Sequence, residues 1–494
     1  MKICIRTSHE CYRNDIGDIV RLFYGEYALV PEGGDALLIH EQANGKDSFT
    51  ERVRLIYGTR TEEETLTGAT ALNALEEKRR EKRAIKQACY AIFKRVSGRK
   101  PAWGSLTGIR PTRLFYRALE EGRSFSGAEE YLIETYDLSR DKAQLLTEIV
   151  RMQQPYYKRH SDAFDLYVGI PFCTSRCSYC SFSSGVIGDG KLVEPYLESL
   201  QKEIEACSRM AGEAGLHLAV GYMGGGTPSS LSTGQLDRLL TCVEHHFPDL
   251  EEWTIEAGRP DTLDDEKLRM LRSHPVTRIS INPQTMNDVT LQRIGRLHTV
   301  QDTVRVFESA RRLGFDNINM DVIAALPDET EEMFSHTLNE IRQMGPESLT
   351  VHTLAIKRSS KLHEQGYSQT TGRIVENMVD AGRQCAHDMG MQAYYLYRQK
   401  YMADNLENVG YCLPDKVCRY NIDNMEEIRS VLALGAGSIS KSLLQVDGRI
   451  LRVPNLSNIR QDIERIDEMI ERKRQMFDAL TKEGKGDIKR DHIG

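Results

Sequence analysis

The chain has 494 residues, 40% hydrophobic and 28% charged, with a formal net charge of −7. That length predicts two to three domains, each able to bury a core. No run approaches the ~20 apolar residues of a membrane span, and the acidic balance argues against a general nucleic-acid binder.

The N-terminal MKICIRTSHECYRND meets charge too early for a secretory leader. Eleven cysteines without such a leader predict a reducing, cytoplasmic setting, with metal-bound or buried thiols rather than disulfides. Up to about residue 60 the chain alternates in the β manner at MKICIRT, DALLIH and VRLIYG, as a small mixed domain would, with Cys4 and Cys11 as buried thiols. From 67 to 96 the period becomes helical. Leu75, Ile85, Cys89, Ile92, Phe93 and Val96 share one face, and Gly98 is the stop. The run EEKRREKR inside it has mixed signs and reads as a solvated face. KPAWGSLTGIRPTRL then reads as a loop opening into a helix, and 127–155 as two further helices.

Beyond 166 apolar strands and amphipathic helices take turns. The strands are LYVGI, LAVGYMG, WTIEAG, TRISIN, NINMDVIA and SLTVHTLA; helices fall near 191–212, 231–247, 263–273, 287–313 and 330–344. Strands separated by helices imply a parallel sheet with right-handed crossovers. The pattern changes past 365: a helix near 370–389, then QAYYLYRQKYM, an irregular 412–418, SVLALGAGSIS, a hairpin signal at 446–449, and Ile459, Ile463, Ile466 and Ile470 on one face of a last helix. The expected division is 1–160, an N-terminal α+β domain of unknown role; 161–365, a β/α barrel; and 366–494, a C-terminal α+β extension.

One stretch carries chemistry. Directly after LYVGI come Cys173, Cys177 and Cys180, a C-x3-C-x2-C array on a loop at a strand's C-terminal end, where α/β enzymes place their sites. Thiolates suit iron–sulfur clusters, zinc or copper(I). A closed [4Fe–4S] cluster takes four cysteines. Three leave one iron open to a small molecule. Zinc requires a fourth ligand at typical spacing, and a redox C-x2-C pair leaves Cys173 without a role.

C-x3-C-x2-C after a first strand resembles the radical S-adenosylmethionine (SAM) superfamily. YVGIPFCTSRCSYCSF is similar to the oxygen-independent coproporphyrinogen III oxidases and the related haem chaperone HemW, and the overall layout most resembles the HemZ branch. The resemblance runs from about 166 to 440. It implies a partial (β/α)6 radical SAM barrel, a [4Fe–4S] cluster on Cys173, Cys177 and Cys180, and SAM as cofactor. Matching SAM-binding positions are Gly225, Gly226 and Thr227 in GGGTP, Glu256 after the third strand, Gln284 after the fourth, Arg296 twelve residues on, Asp321 on the fifth and Ala355 beyond the sixth. Tyr167 and Tyr179 match aromatic positions beside cluster and cofactor. Ile439 matches a position tied to a second SAM site.

The resemblance also implies an activity. It is coproporphyrinogen III dehydrogenation, in which two propionates become vinyl groups in haem biosynthesis, fed by an electron donor such as flavodoxin or ferredoxin. Lys357, Arg358, Arg398 and Lys400 are the cations available to the substrate's carboxylates. Two departures point elsewhere. The oxidases carry cysteine where this chain has Phe182, and histidine where it has Gly169. The competing readings are a HemW-like haem-trafficking protein and a radical SAM enzyme acting on another tetrapyrrole by methyl transfer or ring opening. A second cluster on Cys412 and Cys418 competes with plain loop thiols.

Overall fold

The computed structural model describes all residues except 26, 72, 159–162, 183, 444–449 and 485–494. The hairpin expected at 446–449 and most of the charged tail therefore lie outside the described residues. Two compact units are distinguished: 1–147 with 398–400 and 404–406, and 148–397 with 401–403 and 407–494.

The first unit is built on a sheet of β1 (Lys2–Thr7), β2 (Ala28–Leu29), β3 (Ala36–Asn44), β4 (Ser48–Tyr57) and β5 (Arg60–Ala69), ordered β2-β1-β3-β4-β5. β1 runs parallel to β2 and β3, while β3, β4 and β5 form an antiparallel meander. Helices Arg13–Tyr24 and Ala74–Ser97 close its core, where Ile16, Ile19 and Phe23 meet Leu38, Val53, Ile85, Cys89 and Phe93. The long helix begins later than its period suggested. Residues 60–69 are claimed by pairing with β4, and the Asn73 side chain caps the helix by accepting from the Glu76 amide. Its charged stretch is a solvated face, with Glu76 paired to Arg79 and Arg80. Cys4 is buried but Cys11 is exposed, because Tyr12 takes the inward place in that turn. Arg398 and Lys400, expected as substrate cations, are structural groups of this unit. The Arg398 guanidinium donates to the carbonyls of Leu106 (2.6 Å), Asn405 (2.6 Å) and Leu406 (3.4 Å) and lies 5.0 Å from the Trp103 ring centre. Lys400 pairs with Asp18 at 3.2 Å.

The second unit carries the barrel. β6 (Ala163–Ile170) is followed by the short parallel pair β7 (Phe172–Cys173) and β8 (Gly185–Val186), then β9 (His217–Gly225), β10 (Glu252–Gly258), β11 (Arg278–Ile281), β12 (Ile318–Ala324) and β13 (Ser348–Thr353). β6, β9, β10, β11, β12 and β13 are adjacent in that order and parallel. Their near-continuous apolar sequences suit strands covered on both faces. The crossover helices Val193–Glu213, Thr233–His246, Asp265–Ser273 and Glu331–Met344 agree with the expected ones. The run expected as a single helix over 287–313 is two, Asp288–Arg293 and Val300–Arg312, separated by a turn at Gly295 with φ 78°. The late segments extend the sheet at both ends. β14 (Gln392–Tyr397) and β15 (Asn408–Cys412) add antiparallel beyond β13; β16 (Ser430–Leu434) adds parallel beside β6, followed by antiparallel β17 (Ile439–Leu443) and β18 (Ile450–Pro454). The result is an α/β fold with a partial (β/α)6 barrel whose eleven-stranded sheet, among the described residues, remains open.

Candidate cluster and cofactor site

The cysteine loop leaves β6 through Pro171 and is clamped at its base. Gly185 donates to the Pro171 carbonyl at 2.8 Å and Ile187 to that of Cys173 at 2.9 Å. Its far side is tied to the turn that divides the two helices after β11: Ser178 N–H donates to Ile294 O at 2.9 Å, and Ser175 Oγ to Gly295 O at 3.0 Å. Backbone hydrogen bonds on both sides thus define the shape of the loop. Cys177 is buried; Cys173 and Cys180 are partly open. Burial pushes the Cys180 thiol up, and the neighbouring Cys177 and Cys173 push it further, against the backbone N–H of Phe182. Three thiols are thereby gathered on one short loop. Among the described residues, no three His, Cys, Asp or Glu side chains are placed to share a single metal ion.

The glycine loop after β9 is bonded directly to that loop. Gly226 N–H donates to Ile170 O and Thr227 N–H to Phe172 O, each at 2.7 Å, and Thr227 Oγ1 reaches Cys173 Sγ at 3.5 Å. Gly225 has φ 107°, and a Cβ on Gly226 would lie 2.5 Å from Phe172 O. These two positions therefore require glycine.

The remaining expected residues lie at successive strand ends. Glu256, on β10, accepts from Tyr222 Oη; burial pushes its carboxyl up to about 7. Tyr222 stacks on Tyr420 at 4.6 Å, and Tyr167 lies 6.3 Å and 6.1 Å from these two rings. Gln284 has φ 71° and is stitched to β12: its amide donates to Asp321 O, and its own carbonyl accepts from Ile323, both at 3.0 Å. Burial would raise the Asp321 carboxyl, but hydrogen bonds from His352 and Asn319 hold it below its ordinary value. Arg296 is buried, donates to Tyr179 Oη at 3.1 Å and Asn282 O at 3.2 Å, and has an Nε with no partner among the described residues. Ala355 forms an isolated bridge with Met402 beyond β13. Ile439 opens β17, 45% exposed and in register with Pro454, near the other edge of the sheet.

Several neighbours escaped the sequence reading. Arg259 and Asp261 follow Glu256 in the same EAGRPD string, and His298 lies two residues past Arg296, so proximity to those motifs was the available signal. His352, on β13, faces Asp321 at 3.6 Å and Tyr397 Oη at 3.5 Å. Lys357, one of the expected cations, is half-buried near Cys180: burial lowers its ammonium and the Cys180 thiol opposes that. Cys412 ends β15, and Cys418 immediately precedes the helix Arg419–Glu426. Both are packed in an apolar cluster with Tyr394, Tyr395, Val417 and Ile422, and burial raises them.

Comparison with known proteins assigns the class. Residues 167–341 match the profile of the radical SAM superfamily. The oxygen-independent coproporphyrinogen-III oxidase-like protein HemZ of Bacillus subtilis is 37% identical over 81% of this chain and 83% of its own length. With that relative, the chain belongs to the radical SAM family of oxygen-independent coproporphyrinogen III oxidase-like proteins. The haem chaperone HemW of Bacillus subtilis is 36% identical over 39% of this chain and half of its own length. The solved coproporphyrinogen III oxidase HemN of Escherichia coli superposes with a TM-score of 0.51 at 22% identity, covering 64% of this chain and 72% of that one, a likeness of fold.

Membership of the superfamily brings a [4Fe–4S] cluster and SAM as cofactors. The residues present fit both. Three soft sulfur donors share one loop, a backbone cradle that admits no side chain lies against it, and a buried guanidinium with an unpartnered N–H stands beside them. No described helix is long and apolar enough to cross a membrane.

Proposed function

We propose that this chain is a coproporphyrinogen III dehydrogenase that turns two propionates of its substrate into vinyl groups, with loss of CO2 from each. The observation that supports this reading is the direct bonding of the glycine loop to the cysteine loop, as a shared site for cluster and SAM would require. The HemZ relative, matched over 83% of its own length, bears an oxidase-like name, which supports the reaction class.

Cys173, Cys177 and Cys180 would hold the cluster, and Gly225, Gly226 and Thr227 would take the methionine end of SAM. Bound together, the two supply abstraction of a hydrogen atom from the substrate. Arg296 offers its guanidinium to the SAM carboxylate, a charge-assisted contact. Glu256 offers a carboxylate to the SAM ammonium, and Asp321 accepts from the ribose hydroxyls. Gln284, locked by β12 at positive φ, fixes the backbone between them. Tyr167, Tyr222 and Tyr420 form a packed floor that keeps water from the reacting end. Lys357 and Arg358, on the segment after β13, remain as cations for the substrate's propionates, and an electron donor of the flavodoxin or ferredoxin class would reduce the cluster.

One observation favours a second reading, a haem-trafficking protein. Phe182, standing where the oxidases have cysteine, is 69% exposed beside the cluster loop. Gly169 also sits closely packed where the oxidases have histidine, since a Cβ there would lie 3.3 Å from Leu434 O. Anaerobic incubation with dithionite, SAM and coproporphyrinogen III separates the readings. Divinyl product with SAM cleavage is expected. SAM cleavage without vinyl product would replace the dehydrogenase with an enzyme acting on another tetrapyrrole. Stable haem uptake without cleavage would establish the trafficking role.

A further inference from the structure

Resting on the cluster ligation proposed above, the geometry points to Arg259 as the positioning residue that sets the cluster's reduction potential through Cys177. Arg259 is 4% exposed, and its Nη1 stands 3.9 Å from Cys177 Sγ while donating to Ser175 O at 3.1 Å. Its orientation is fixed from behind. Nε and Nη2 donate to the two oxygens of Asp261 at 3.1 Å and 3.2 Å, a bidentate pair. Asp261 is itself held by Thr174 Oγ1 at 3.1 Å and by His298 Nδ1 at 3.4 Å. Burial would raise the Asp261 carboxyl; the bonds from His298 and Arg259 keep it well below the usual carboxylate range.

The three thiols are not equivalent. Cys173 faces neutral hydroxyls, Ser184 Oγ at 3.6 Å and Thr227 Oγ1 at 3.5 Å. Cys180 faces the backbone N–H of Phe182. Cys177 alone of the three has a guanidinium N–H at its sulfur among the described contacts. Hydrogen bonds to cluster sulfurs and local charge set the potential, and bonds from an ionised donor are roughly twice as strong as neutral ones. One-electron reduction adds a negative charge to the cluster, and a fixed cation stabilises that product more than the oxidised state. Arg259 therefore raises the potential and eases reduction by a weak donor. Asp261 opposes this with its own charge while it holds the guanidinium in place.

The test is an EPR-monitored dithionite titration, without SAM, of anaerobically reconstituted wild type, R259Q, R259K and D261N, each with iron and sulfide assayed per chain. With iron and sulfide at the wild-type level, R259Q is expected to shift the midpoint negative by about 59 mV, a tenfold fall in the reduced-to-oxidised ratio at fixed poise for a one-electron couple. R259K should recover part of that, and D261N should shift it positive. An unchanged midpoint in a fully loaded R259Q, or shifts of the same sign in R259Q and D261N, overturns the inference. So does loss of the cluster in both Arg259 variants, which would make this arginine a scaffold of the loop. A wild type that holds no iron or sulfide would instead sink the cluster reading itself.

Discussion

Arg296 donates to the hydroxyl of Tyr179 at 3.1 Å across 117 residues of chain, and so ties the cysteine loop to the turn after β11. The contact exists because the chain breaks its helix there. Gly295, at φ 78°, reverses the backbone, so that Arg296 meets Tyr179 and His298 meets Asp261 instead of continuing the helical face. A side chain expected to bind a cofactor thereby also braces the loop proposed to hold the cluster.

That double duty gives the first prediction. Arg296→Lys keeps a charge but loses the fork that reaches Tyr179 and Asn282 together. SAM affinity should fall by roughly 10- to 100-fold, the scale of a hydrogen bond to a charged group at about 1.5–3 kcal/mol. Equilibrium binding on reconstituted protein measures it. Tyr179→Phe should weaken SAM binding less, since it removes the brace and leaves the guanidinium in place. An effect of Tyr179→Phe as large as that of Arg296→Lys would mean that the contact with Tyr179 is the whole role.

Cys177→Ala removes the buried thiol of the three. Iron and inorganic sulfide should drop to background, and the visible cluster absorption should vanish, while circular dichroism stays at the wild-type level. The loop's shape depends on backbone bonds to Pro171, Cys173 and Ile294 that the substitution leaves alone. An intact absorption band in this variant would remove Cys177 from the ligand set.

As a proposed SAM contact, Glu256 is expected to make SAM binding depend on pH. Its carboxyl is pushed up to about 7 by burial, above its ordinary 4.5. Below that value the folded protein holds a proton that the unfolded chain has released, so between about 4.5 and 7 the apoprotein loses stability as pH rises. Pairing with the SAM ammonium requires the ionised form. Affinity should therefore climb with pH up to about 7, then decline above the ~8 at which an α-amino group loses its proton. Glu256→Gln should flatten the acid limb. A binding profile in that variant identical to wild type would remove Glu256 from the SAM contacts.

Much of this was legible because it is local. The six barrel strands were visible as short apolar runs, the crossover helices by their period, the cysteines by their spacing, and GGGTP by its place after the second strand together with the family resemblance. The rest was decided by pairing partners that no local pattern names. Residues 60–69 are polar enough to read as loop or helix entry, yet β4 recruits them as a strand. Cys412 and Cys418 flank a stretch without period, and burial of the segment between β15 and β16 beside β9 and β14 turns them into core. Arg398 looked like a cation open to substrate, but its guanidinium is spent on the backbone carbonyls of Leu106, Gly108, Asn405 and Leu406. Arg259 stands just after a strand, where an arginine is ordinarily solvated, and its contact with Cys177 spans 82 residues of chain that no local pattern links.

The last prediction concerns an ion pair remote from the chemistry. Lys473, on the helix Ile466–Gly484, donates to Glu203 at 2.6 Å with both side chains fully buried. Glu203 also accepts from Asn455 at 2.9 Å and from the Gly435 amide at 2.7 Å. Gly435 lies against the end of β6, since a Cβ on it would come within 2.6 Å of Gly169 O. The pair therefore anchors the terminal helix and the loop after β16 to the strand that feeds the cysteine loop. Removing one partner leaves an uncompensated buried charge, which costs about 3–5 kcal/mol, whereas replacing both by neutral groups of similar volume is often tolerated. Lys473→Met alone should lower the unfolding temperature sharply and make cluster loading less complete. Lys473→Met combined with Glu203→Gln should recover most of both, since the Gln amide still accepts from Gly435. Thermal unfolding and iron content of the two variants give the coupling directly. A double variant no better than the single would show that Lys473 acts through its packing alone.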